Sequence, residues 1–121
     1  MHIWTFKSMK EGESLFAYQI QKEFADILVS IFDQETLPFI SDLSYVDYDL
    51  YSDRQLYQLI NEFKKLIEIY TAFIDEISKI ISFLEKAIEC NEKILFDPFR
   101  ESILGLNIFE FSKKINTPRM K

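Results

Sequence analysis

Between Arg54 and Phe96 the chain contains neither a glycine nor a proline, and nothing else in the sequence limits its folding so strongly. With Leu56 taken as position a of a heptad, a reads Leu56, Phe63, Tyr70, Ile77, Leu84, Asn91. Position d reads Leu59, Leu66, Phe73, Ile80, Ala87, Ile94, and position e reads Ile60, Ile67, Ile74, Ile81, Ile88, Leu95. The apolar columns stay in phase for about six heptads. A coiled-coil seam needs only a and d, and the e column widens the stripe to that of a helix packed in a bundle. The spacing predicts one helix over 53–96, capped by Ser52 or Asp53. At about 1.5 Å per residue it would be ~65 Å long, so it must bend around a core, break once or extend into a dimer; with no breaker inside, a mostly continuous helix is expected.

The flanking segments read as helical too. Phe16, Ile20, Phe24, Ile27, Leu28, Ile31 and Phe32 recur at helical spacing beside a wet face of Gln19, Gln21, Lys22, Glu23, Asp26 and Asp33, which predicts a helix over 14–34 with Ser14 as its cap. Pro38 disfavours a helical residue before it, so 36–52 reads as an irregular connector. Asp97 and Pro98 suit the start of a helix over 98–104, closed by Gly105. Asn107 and Glu110 stand in capping-box register for another over 108–115. The first nine residues, rich in strand formers, form a short strand or an extended arm. Two glycines and three prolines are too few turn-formers for an all-β chain. The expected fold is all-α, or mainly α: a single helical domain over 1–121, a bundle built on one long central helix.

The net charge of −6 is unevenly placed. Residues 1–60 hold ten acids and four bases, whereas 61–121 hold ten of each. An acidic surface repels phosphate backbones, which argues against direct nucleic-acid binding, and it attracts basic partners. The single cysteine, Cys90, excludes an intramolecular disulfide and suits a reducing cytoplasm. The N-terminus has no apolar core or small-residue cleavage site of a signal peptide, and no uncharged apolar run approaches the ~20 residues of a membrane span. A soluble, cytoplasmic protein is expected.

Residues suited to catalysis are few. His2 is the one histidine and sits at a terminus. Cys90 at heptad g reads as a buried, inert thiol. No metal-ligand spacing occurs, Gly12 and Gly105 belong to no phosphate loop, and the adjacent Asp75 and Glu76 read as solvated. Neither an enzyme nor a metal or cofactor is expected.

Binding is better represented. The stretch LSYVDYDLYSD, Leu43–Asp53, interleaves tyrosines and aspartates with no base. Tyrosine supplies large, rigid, amphipathic contact area, and aspartates beside it pair with a partner's Arg and Lys. The candidate partner-binding residues are Asp42, Tyr45, Asp47, Tyr48, Asp49, Tyr51 and Asp53. The bland reading is that Leu43, Tyr45 and Tyr51 pack inward while the aspartates cap and solvate. Ile69 and Phe83, at heptad g, mark a second interface unless the chain's own helices cover them.

Pro38, Tyr48, Tyr51, Gln55, Leu59, Ile60, Glu62, Phe63 and Cys90 together resemble the pattern of a group of small bacterial proteins, over about half the chain. In general character the sequence is similar to immunity proteins of bacterial toxin systems, including contact-dependent inhibition. That resemblance implies a cytoplasmic inhibitor that binds a basic protein, a toxin domain such as a nuclease. A phage-encoded inhibitor of a bacterial defence nuclease and a homodimeric structural or adaptor protein are the alternatives.

Overall fold

The structure, a computed structural model, describes residues 1–6 and 14–98. It corrects the all-α expectation: among the described residues four antiparallel strands form one sheet, and four α-helices accompany it. The strands are β1 (His2–Phe6), β2 (Ser14–Gln19), β3 (Asp49–Tyr51) and β4 (Lys93–Asp97). The helices are α1 (Lys22–Ser30), α2 (Pro38–Ser41), α3 (Arg54–Ile69) and α4 (Ile74–Glu89). The sheet order is β2-β1-β4-β3, so the first and last described strands are central neighbours, in the register Trp4↔Leu95. The connection through α1 and α2 carries the chain from one sheet edge to the other.

The predicted 53–96 helix is two helices and a strand. A 3₁₀ turn over Thr71–Phe73 separates α3 from α4 without glycine or proline. Tyr70 leaves helical geometry at φ −115°, ψ 66°. The residues around it (Ile67, Ile69, Tyr70, Thr71, Phe73) are β-branched or aromatic and weakly favour helix. The larger cause is burial: folded back on each other, α3 and α4 sink Leu56, Leu59, Phe63, Leu66, Ile77, Ile80 and Leu84 into one core. A straight ~65 Å rod would leave that stripe in water.

Helix α4 then ends in a Schellman motif. Asn91 takes φ 61°, its N–H donates to the Ile88 carbonyl at 3.0 Å, and the Glu92 N–H donates to the Ala87 carbonyl at 2.8 Å. An asparagine tolerates this left-handed position in place of glycine. Beyond it, Ile94, Leu95 and Phe96 are buried in succession, the run of a strand covered on both faces. Asp97 is the last residue of β4.

The first six residues of the predicted 14–34 helix are β2, because Phe16, Tyr18 and Ile20 also satisfy a period of two. The 36–52 connector contains α2 and β3, and of the two N-terminal alternatives the strand is observed. The expected helices over 98–104 and 108–115 fall, apart from Pro98, outside the described residues.

The main core lies between one face of the sheet (Ile3, Ile94, Phe96) and helices α1, α3 and α4. On the other face, Trp4 and Leu95 are also buried, and the Trp4 Nε1–H donates to the buried Asp97 carboxylate at 3.1 Å. An aromatic chain ties the layers together: Phe63 stacks on Phe96 at 6.4 Å, Tyr51 meets Phe96 edge-on at 5.8 Å, and Phe39 contacts Tyr51 at 5.1 Å.

Candidate functional site

The segment from Asp42 to Asp53 is fixed from below. Leu43 and Tyr51 are buried, and the Tyr51 hydroxyl donates to the Phe39 carbonyl at 3.1 Å. Helix α2, which leads into the segment, is too short to hold itself. Its first N–H groups are taken up by a buried carboxylate from α3: Glu62 Oε1 accepts from the N–H of Phe39 at 3.1 Å and of Ile40 at 2.9 Å. Gln58 Nε2 donates to Glu62 Oε2 at 2.7 Å. Glu62 is fully buried, and three N–H donors replace the water it loses. A second buried carboxylate, Glu76, accepts from the Tyr18 hydroxyl at 2.6 Å and from the N–H of Gln21, which precedes α1, at 2.9 Å. The expectation that Glu76 is solvated is thereby corrected.

Above these anchors stand the acids. Asp42, Asp47 and Asp53 are exposed and Asp49 is half-buried. Burial, then the like charges of Asp42 and Asp47, push the Asp49 carboxyl up to about 6. The three carboxylates thus act on one another. Among the described residues none of these four aspartates has an ion pair, and the one salt bridge is Lys22–Asp26, 3.1 Å, on α1. Local hydrogen bonds shape the loop: the Tyr48 N–H donates to Asp47 Oδ1 at 2.9 Å, the Val46 N–H to Ser44 Oγ at 3.2 Å, and Gln34 Nε2 to Asp42 Oδ1 at 3.3 Å.

The tyrosines divide. Tyr45 is 41% and Tyr48 38% exposed, whereas Tyr51 is 5% exposed, which withdraws it from the contact set and makes it a support. The Tyr45 hydroxyl donates to Asp26 of α1, holding the ring upright. Burial first, then this bond and the Asp26 charge, push the Tyr45 hydroxyl up to about 12. The same bond, with that from Lys22, holds Asp26 below the usual carboxylate range. Asp53 occupies the N-cap position of α3 without a side-chain capping bond. At φ 55°, ψ −123° it sits in backbone strained for any residue but glycine, and it borders a cleft with Arg54 and Tyr57 instead of joining the other three acids.

Pattern reading missed Val46, 80% exposed, and Leu50, 45% exposed. Both are apolar side chains set among the acids, and only the direction of β3 and its preceding turn reveals that they face outward. The second predicted interface is dispersed. Ile69 is exposed at the end of α3, whereas Phe83 is half-buried on α4, where its ring meets Tyr18 at 6.1 Å. Cys90, expected buried, is exposed. Among the described residues no group of three or more His, Cys, Asp or Glu side chains is placed to hold a metal ion, and no helix is long and apolar enough to cross a membrane.

Comparison with protein-family models, curated proteins and solved structures finds no match.

Proposed function

We propose that the protein is a non-catalytic inhibitor of the immunity type, which neutralises a basic toxin domain in the cytoplasm by covering it with the Asp42–Leu50 face. The observation that carries this reading is the crowding of Asp42, Asp47 and Asp49 with no cation among them, on a segment pinned by Glu62 and Tyr51. Packed like charges oppose folding, and a partner's Arg or Lys side chains turn that cost into affinity and a fast encounter. Tyr45, Val46 and Tyr48 supply apolar contact area between the acids.

Co-expression with a toxin encoded beside the gene tests the reading. The wild type restores growth, and Asp47→Lys with Asp49→Lys abolishes protection while leaving the fold intact. Protection that survives the double reversal removes this face from the function.

A further inference from the structure

The acidic face lies beside β3, at one edge of the sheet. The opposite edge, β2, has features of its own. Antiparallel neighbours exchange backbone hydrogen bonds at alternate residues. The Ile20 N–H donates to the Met1 carbonyl at 2.9 Å, and the register continues as Ile3↔Tyr18. Ile20 and Tyr18 therefore turn their backbone groups toward β1, and Ala17 and Gln19 turn theirs outward. Both are exposed, and their outward groups have no partner among the described residues. Phe16, 51% exposed, stands on the same strand. An unpaired edge with an exposed phenyl ring, no proline and no charged side chain is a template for another strand.

Beside this edge runs a cleft of about 580 Å³ between β2 and α4, lined by Phe16, Tyr18 and Phe83, on the helix by the exposed Lys79 and Lys86, and at one end by a single acid, the buried Glu92. The two lysines lie seven residues apart on one face of α4, about 10 Å along its axis. Neither is engaged in an ion pair among the described residues, although the chain as a whole carries six more acids than bases.

We infer that this edge accepts an extended segment of a partner protein as a fifth strand, with an apolar side chain in the cleft and acidic side chains on Lys79 and Lys86. Strand neighbours on one face repeat about every 7 Å, so acids two or four residues apart on the incoming segment fall within reach of the flexible lysines. Backbone pairing supplies affinity, and the charges and the cleft supply selectivity. The inference stands on β2, α4 and the cleft between them, and holds whether or not the acidic face binds a toxin.

The probe is the fluorescein-labelled peptide acetyl-Thr-Glu-Thr-Phe-Thr-Glu-Thr-amide, whose Glu, Phe and Glu share one face when extended, followed by anisotropy. Its counterpart carries Lys for Glu. The wild type is expected to prefer the acidic peptide by about tenfold or more, and Lys79→Glu with Lys86→Glu to reverse that preference. Ala17→Pro removes one outward N–H from an edge strand, where proline is tolerated, and is expected to weaken binding about tenfold with an unchanged circular dichroism spectrum. Two peptides N-methylated on alternate residues repeat that test without altering the protein, and one of the two should lose binding. No binding at about 1 mM, or equal binding of both charge forms, overturns the inference. So does binding that ignores both Ala17→Pro and the methylated peptides, which would make the cleft an anion site without strand pairing. Concentration-dependent dimerisation abolished by Ala17→Pro would give the edge to a second copy of the chain and likewise overturn it.

Discussion

Asp49 and Glu62 show how differently two carboxylates in one region are used. Asp49 binds its proton more tightly in the folded chain than in the unfolded one. Between the ordinary 3.8 and about 6 the folded state therefore holds more protons, and stability falls as pH rises through that window. Asp49→Asn removes this slope and raises stability at neutral pH, while weakening the grip on a basic partner. Urea denaturation of both proteins at about pH 4 and about pH 7 checks the sign. A stability gap between the two proteins that does not widen toward neutral pH would show that Asp49 is not under strain from its neighbours. Glu62, by contrast, is satisfied by three N–H donors and holds α2 in place. Glu62→Ala leaves the N–H groups of Phe39 and the buried Ile40 without their acceptor and is expected to cost about 3 kcal/mol. A loss below about 1 kcal/mol in urea denaturation would mean that α2 is held by packing alone.

At the scale of elements, the break between α3 and α4 is the largest departure from what the pattern predicts. It has a direct test. Thr71 is the first residue of the 3₁₀ turn, and Tyr70 before it is already outside helical geometry, so Thr71→Pro meets neither a lost hydrogen bond nor a clash. Its effect is expected to be within about 1 kcal/mol of zero, whereas in a continuous helix the same change costs ~3 kcal/mol or more. Thermal or urea unfolding distinguishes the two. The heptad columns did locate the buried stripe, since Leu56, Leu59, Phe63, Leu66, Ile77, Ile80 and Leu84 are all core residues. They could not locate the turn, because apolar periodicity runs unbroken through a helical hairpin whose two arms pack on each other. Two local signals, unread in the heptad pattern, mark where the helix ends: Asn91 as a left-handed helix stop, and the consecutive Ile94-Leu95-Phe96 as a doubly covered strand. Around Phe16, Tyr18 and Ile20 the periods of two and of 3.6 coincide, and the pairing of β2 with β1 decides between them.

For the whole molecule, the sheet order β2-β1-β4-β3 brings the chain's early and late segments together at its centre and leaves two edges with opposite chemistry. One bears the carboxylates of Asp42, Asp47 and Asp49; the other lies beside Lys79 and Lys86. The acidic face was legible because charge and tyrosine content need no tertiary structure to be seen. The exclusion of Tyr51 and Asp53 from it, and the inclusion of Val46 and Leu50, depend on which way each side chain turns in the folded chain. The lysine-flanked edge was hidden, since it needs β2 and α4, about sixty residues apart, to lie side by side. A pull-down from the native host with tagged protein at low salt, set against the variant carrying Asp47→Lys and Asp49→Lys, examines the acidic face most directly. One basic protein, retained by the wild type, released by raised salt and absent from the variant, is the expected result. Equal retention by both proteins, or recovery of only acidic partners, would contradict it.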